Sequence, residues 1–190
     1  MEVWEAIHSR RSVGKVSEKV PEKEKLEKML EAARWAPNHH KTEPWHFHVL
    51  IGDGRDKLGK AYGKINLEKL KDPDGGEREL ALESGLKKAR RSPVVIVAAV
   101  EPDQGSKIEP IEEAAATACA VQNMLLAAHE MGLGVKWRTG KPANHPIMKE
   151  AFNVSEKGWI LGLLFVGYPD EEPEAPIKKE PEAYTTWLID

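Results

Sequence analysis

The sequence has one cysteine, Cys119, in 190 residues, which excludes an internal disulfide and any multi-cysteine zinc site within one chain. No apolar run is long enough to cross a bilayer. The opening "MEVWEAIHSRRS" lacks the apolar core of a secretory signal, so a cytoplasmic location is the expectation. Surplus positive charge is missing as well. A net charge of −3 gives no general attraction to nucleic acid or to an acidic membrane, so any bound anion must be caught by a local cluster of cations. Internal repeats, a second core and an HExxH zinc helix are also absent.

One apparent motif fails on spacing. "GDGRDKLG" follows an expected strand, but Lys57 stands where a dinucleotide fingerprint needs its third glycine, and Asp53 would repel a pyrophosphate. It reads as a turn.

What remains is globular: 41% hydrophobic and 31% charged residues, enough for one domain over residues 1–190. Residues 2–9 suggest a short helix. Residues 21–36 form an amphipathic one, with Pro21 as first residue, an apolar stripe of Leu26, Met29, Leu30 and Ala33, and Pro37 as its stop. "WHFHVLI" reads as a strand and "PVVIVAAV" as one buried on both faces. Between them residues 55–91 are mostly helical, broken near "DPDGG".

"IEEAAATACAVQNMLLAAHEMG" is the longest helix, apolar nearly all round from Ala114 to Ala128 and suited to packing on a second copy of itself, with Gly132 as its C-cap. Then come a short strand "VKWR", a small helix "IMKEAF" and a last buried strand "WILGLLFVGY". A Pro-rich tail ends in the apolar "YTTWLI". The fold class is α+β, a central antiparallel or mixed sheet flanked by helices.

Three stretches carry candidate chemistry. "HSRRS" offers planar guanidinium forks and a hydroxyl suited to phosphate oxygens, although cations also suit a helix C-terminus. "GLGVKWRTG" offers either a core tryptophan in a strand or a ledge of Trp137, Arg138, Thr139 and Gly140 for a polar ring edge. "ARWAPNHHKTEPWHFHVL" brings four histidines together. His46 and His48 share one strand face, and with Glu43 they give a zinc-hydrolase alternative. Taken together, the arginines, the aromatic wall and the ledge suit a phosphorylated planar cofactor such as FMN, while a dinucleotide would need the missing glycine turn.

The segments "SRRSVGKV", "APNHHKTEPWHFHVLIG", "MGLGVKWRTG" and "FVGYP", in that order, resemble the FMN-dependent nitroreductases of the minimal single-domain type. The resemblance covers nearly the whole chain. It implies a homodimer with FMN at the interface, reduced by NADH or NADPH and reoxidised by a small-molecule acceptor (a nitroaromatic or a quinone) in a ping-pong cycle. It implies that Arg10, Arg11 and Ser12 hold the phosphate and ring edge, that Trp35 and His39 come from the facing wall, and that Trp137, Arg138 and Thr139 complete the cradle. The nicotinamide site falls at Ala127, Ala128, His129, Glu130, Met131 and Gly132. The extension from about residue 170 to 190 is expected to lie on the partner subunit.

No side chain is expected to be a catalytic nucleophile, and no metal is expected. Where relatives carry arginine this chain has Trp35, so Arg34 substitutes or the contact is lost. Lys41 and Glu43 replace an asparagine and a glutamine, changes that bear on substrate preference. A non-catalytic flavin- or nucleotide-binding protein is the other alternative.

Overall fold

A computed structural model describes residues 1–103 and 108–189. The order along the chain is α1 (Val3–Ser9), α2 (Lys23–Arg34), β1 (Trp45–Ile51), α3 (Arg55–Leu67), α4 (Gly75–Ala89), β2 (Val94–Val100), α5 (Pro110–Glu130), β3 (Gly134–Arg138), α6 (Pro146–Ala151) and β4 (Trp159–Gly167). The four strands form one antiparallel sheet in the order β1-β2-β4-β3. Among the described residues the one parallel pairing is an isolated bridge between Ser12 and Val135.

Strand alternation divides the core into two layers. Val94, Ile96, Ala98, Leu164 and Val166 face α2 and α5, packing on Leu26, Met29, Val121 and Met124. Val95, Val97, Leu163 and Phe165 face α3 and α6, against Leu58, Tyr62, Met148 and Phe152. The β2–β4 register shifts between Ala98 and Ala99, so Ala98 pairs with Gly162 and Ala99 with Ile160. That bulge reverses the alternation and sends Ile160 into the second layer.

The helix boundaries differ from the sequence expectation in small ways. Helix α2 begins at Lys23, two residues after Pro21. Glu22 occupies its N-cap without a side-chain capping bond, because the carboxylate is drawn away to the Tyr168 hydroxyl and to Lys19 and Lys25. The Tyr168 bond is the main cause that holds Glu22 down at about 2. The break at "DPDGG" becomes a capping box, with Asp74 accepting from the Glu77 amide at 2.8 Å and Glu77 accepting from the Asp74 amide at 3.2 Å. At the end of α5, Gly132 takes φ +74°, the left-handed conformation that lets the chain turn into β3.

Helices α3 and α4 meet through glycine. A Cβ on Gly85 would stand 2.4 Å from both the Gly59 carbonyl oxygen and the Gly63 amide nitrogen. The obstacle is backbone, which cannot rotate away. Gly85→Ala should therefore destabilise the fold by about 1–3 kcal/mol, in spite of alanine's better helix propensity. Chemical denaturation checks this, and a variant as stable as the parent would contradict the helix contact.

Candidate functional site

Helix α1 delivers Arg10 and Arg11 to a cleft, and the two side chains are used differently. Arg11 Nη1 donates to the carbonyls of His8 at 2.7 Å and Arg10 at 2.9 Å, closing the C-terminal end of α1. The Arg10 guanidinium makes no hydrogen bond or ion pair among the described residues. The Ser9 hydroxyl donates to the Glu5 carbonyl at 2.7 Å, so its oxygen is the acceptor for His129 Nε2, also at 2.7 Å. With the hydroxyl hydrogen committed to a carbonyl, Ser9 is not an activated nucleophile. The cleft measures about 860 Å³ and is lined by Arg10, Arg11, Leu125, His129, Gly132 and the chain after Pro169. A connected opening of about 640 Å³ adds Ser12 and Lys178.

Beyond Arg11 the chain docks on the free edge of β3. Val13 donates its amide to the Val135 carbonyl at 3.1 Å, and Ser12 bridges Val135 in parallel. This approach needs glycine at position 134, where a Cβ would stand 2.7 Å from the Val13 Cβ. Residues 15–17 then pair with residues 168–170 through Ser17 N to Tyr168 O and Asp170 N to Lys15 O. The arginine segment is thus fastened beside Trp137 and Arg138.

Those two neighbours go to opposite sheet faces, as adjacent strand residues must. The Trp137 indole packs with the α2/α5 layer and lies on Gly162, where a Cβ would stand 2.1 Å from its Nε1. That nitrogen is buried without a partner among the described residues. Arg138 lies over the Phe165 ring, 5.4 Å from its centroid, and with Thr139 lines a recess of about 260 Å³ shared with Tyr62 and Lys88. Among the described residues no acidic one lines this recess. Lys88 Nζ sits 4.0 Å from the Tyr62 ring centroid. Burial, with Arg91, Lys69 and Arg138 nearby, lowers the Lys88 pKa. Burial pushes Tyr62 up to about 12, with Arg138 and Arg91 pulling the other way. Positive charge is concentrated here in a chain that is negative overall.

Trp35 and His39 lie elsewhere in the same chain. Trp35 is 75% exposed, and its Nε1 donates to Glu31 Oε1 at 3.0 Å. Arg34 lies over the Trp35 ring at 5.9 Å and pairs with Glu31 at 3.3 Å. His39 Nδ1 is 3.0 Å from Glu112 Oε1, in the first turn of α5. His129, beside Arg10, is in the last turn. At 1.5 Å per residue the two ends stand about 25 Å apart. One chain therefore brings Arg10, Arg11, Ser12, His129 and Gly132 together, but not Trp35 and His39 with them.

Within the turn expected to meet nicotinamide, Ala128 is wholly buried and offers a ligand no surface. The Met131 carbonyl accepts from Lys25 at 2.9 Å, and Glu130 lies 3.7 Å from the N-terminal amine. His46 and His48 are neighbours, their centroids 4.6 Å apart. Among the described residues no group of three or more His, Cys, Asp or Glu stands together to hold a metal ion. Lys88, Tyr62 and Glu112 were not anticipated. They join the site residues only through tertiary contacts that local sequence does not announce.

The sequence model of the Nitroreductase family matches residues 7–168, and the chain belongs to that family. It is 28% identical over 189 residues to YdjA of Escherichia coli (strain K12), a protein with a provisional NAD(P)H nitroreductase name, covering 99% of this chain and 100% of that one. YfhC of Bacillus subtilis (strain 168), similarly named, is 31% identical over 169 residues, 88% of this chain and 84% of its own. Among solved structures, a nitroreductase-like family protein from Bacillus cereus superimposes with a TM-score of 0.85 at 30% identity, covering 100% of this chain and 97% of that one. A nitroreductase from Bacteroides fragilis, solved with bound FMN, shares the fold with a TM-score of 0.73 at 24% identity, each chain covered fully.

The cleft has a pH signature. His129 is lowered from its ordinary 6.5 by burial first and then by Arg10 and Arg11, with Glu5 opposing. His48 is lowered by burial, His46 and Lys57, against Glu101. Between the folded pKa and 6.5 the unfolded chain binds more protons, so stability falls as pH drops through 6.5 and is retained above it. Thermal melts from pH 8 to 5 should show Tm declining below about pH 6.5, less steeply in His129→Gln. An unchanged slope in that variant would contradict the assigned environment of His129.

Proposed function

We propose that the chain is an FMN-dependent oxidoreductase. It takes a hydride from NADH or NADPH and passes the electrons to a nitroaromatic, quinone or similar small acceptor in a ping-pong cycle. The observation that carries this reading is the unpartnered Arg10 guanidinium, held in a ligand-sized cleft beside a β3 edge whose other flank is the cationic recess of Lys88 and Arg138. The donor set fits the cofactor: a guanidinium fork for a phosphomonoester, and cations with the Thr139–Gly140 backbone for an electron-rich ring edge. Membership of the Nitroreductase family and the FMN-bound relative of the same fold support it.

FMN, when bound, supplies the hydride acceptance and two-electron delivery. The side chains have other tasks. Arg10 neutralises the phosphate and fixes its register. Lys88 and Arg138 put positive charge where negative charge arrives with the electrons. No side chain serves as a nucleophile, and rate comes from orientation and preorganised charge.

The reading includes a homodimer, because His39 and the Arg10 cleft stand at opposite ends of α5. An antiparallel crossing of two α5 helices near their centres would bring Trp35 and His39 of one copy to the Arg10 cleft of the other. The exposed side of α5 supports this arrangement. Ile111, Ala115, Cys119 and Gln122 run along it at helical spacing, small enough in the middle for close approach. Val3, Trp4 and Ile7 of α1 and Tyr184, Trp187 and Leu188 of the tail are exposed apolar surface of the kind a partner covers.

Two outcomes test this. Arg10→Ala should weaken FMN binding by roughly 10–100-fold, the worth of one charged hydrogen-bonding pair, with an unaltered far-ultraviolet spectrum. A variant purified as yellow as its parent would sink the phosphate assignment. Mild oxidation should link two copies through Cys119 near the proposed crossing, and Cys119→Ser should abolish the dimer band. A chain that sediments as a monomer and does not cross-link contradicts the arrangement.

A further inference from the structure

We propose that Glu112 is a positioning residue for His39, fixing which ring nitrogen faces the reaction. This rests on the functional reading above and extends it to the proton that acceptor reduction consumes.

Both oxygens of the Glu112 carboxylate are engaged. It is the third residue of α5, and one oxygen, Oε2, accepts from the Glu109 amide at 3.1 Å in a capping box. The other, Oε1, meets His39 Nδ1 at 3.0 Å. The hydrogen bond from His39, followed by that from the Glu109 backbone, lowers the Glu112 pKa. The group is therefore ionised near neutral pH. An ionised carboxylate only accepts, so Nδ1 carries the hydrogen. Neutral His39 is held as the Nδ1–H tautomer, and Nε2 is left without a partner among the described residues on a side chain that is 54% exposed.

The surrounding loop is built to keep this pairing. His40, Lys41 and Glu43 all adopt positive φ, of 53°, 58° and 48°. Three of the four residues from His40 to Glu43 lie in the left-handed region and store strain that the surroundings must hold. Asn38 Oδ1 accepts from the Glu43 amide at 3.1 Å, and the His40 ring stacks on His39 at 4.1 Å. Thr42 donates to Glu113 Oε2 at 2.9 Å. Glu113 is only 2% exposed, and its other oxygen has no partner among the described residues. A buried carboxylate is costly, and here it anchors the loop next to His39. Adjacent glutamates of α5 thus divide the work: Glu113 clamps the loop and Glu112 orients the imidazole. Among the described residues, Glu112 pairs with His39, His40 stacks on it and Glu113 is bonded to Thr42 of its loop, while Lys41, Glu43 and Glu109 are the other titratable groups of the same loop and of the α5 N-cap.

The chemical consequence is directional. Reduction of a nitro group to a nitroso group consumes one hydride equivalent and one proton. An N–O bond breaks and water leaves. Protonated His39 gives its proton from Nε2 to the departing oxygen, and the neutral ring remains as the Nδ1–H form that Glu112 already holds. No tautomer exchange is needed between turnovers.

The test reads the ring nitrogens of His39 by long-range proton–nitrogen NMR, with His39→Asn for assignment, in protein without added cofactor. Wild-type His39 should be Nδ1–H when neutral. Glu112→Ala should shift it toward the Nε2–H form preferred by free imidazole in water. Glu112→Gln, which can still accept, should keep Nδ1–H. In turnover, Glu112→Ala should slow oxidation of the reduced enzyme by the acceptor about 10-fold or more, while reduction by NAD(P)H is unchanged. An Nε2–H tautomer in wild type, or an unchanged tautomer in Glu112→Ala, overturns the assignment. Wild-type protein with no flavin absorbance after incubation with FMN overturns instead the functional reading beneath it. That failure shows in the visible spectrum and not in the nitrogen shifts.

Discussion

The Arg10 cleft and the His39–Glu112 pair lie at opposite ends of helix α5, and the proposed sharing of one site between two copies depends on that separation. Its last turn holds His129 against Ser9 beside the free Arg10 guanidinium. Its first turn holds Glu112 against His39. A helix of 21 residues is rigid, and no side chain spans its length. Residues that serve one ligand from both ends must then belong to two copies of the chain. In the proposed arrangement those copies would meet on the small, exposed side of α5.

The second constraint is the free edge of β3. An open edge invites pairing, and here the chain after α1 occupies it, with Val13 lying on Gly134 and Ser12 bridging Val135. The same contact that protects the edge places the arginines next to the Trp137–Thr139 segment. Glycine at position 134 is a structural requirement, since a side chain there would push the arginine-bearing segment off the sheet.

Much of this was legible in the sequence. Residues 45–51 read as a strand ended by a turn signal and residues 93–100 as a β-branched, nearly all-apolar one, and the structure has strands at Trp45–Ile51 and Val94–Val100. The start of α2 was misplaced because Pro21 suits a first turn, whereas the pull of Tyr168 on Glu22 is tertiary and invisible locally. The arginine cluster was visible, but the capping role of Arg11, which separates it from Arg10, was not. The sequence showed Trp137 and Arg138 together. Their division between faces follows from strand alternation and was available to a stricter reading. Lys88 and Glu112 had no local signature at all: one reaches the recess across the α4–β2 connection, and the other meets a histidine 73 residues away.

The central claim is that each working cleft takes Arg10 from one copy and His39 from the other. Mixed dimers test it most directly. One subunit carries Arg10→Ala and the other His39→Ala, with different affinity tags to isolate the heterodimer. The account predicts that both parental homodimers are impaired, while the mixed dimer regains about half of the wild-type turnover, since one cleft is intact and the other carries both lesions. A mixed dimer no more active than its parents would mean that both residues serve within one chain, and the shared cleft would be wrong.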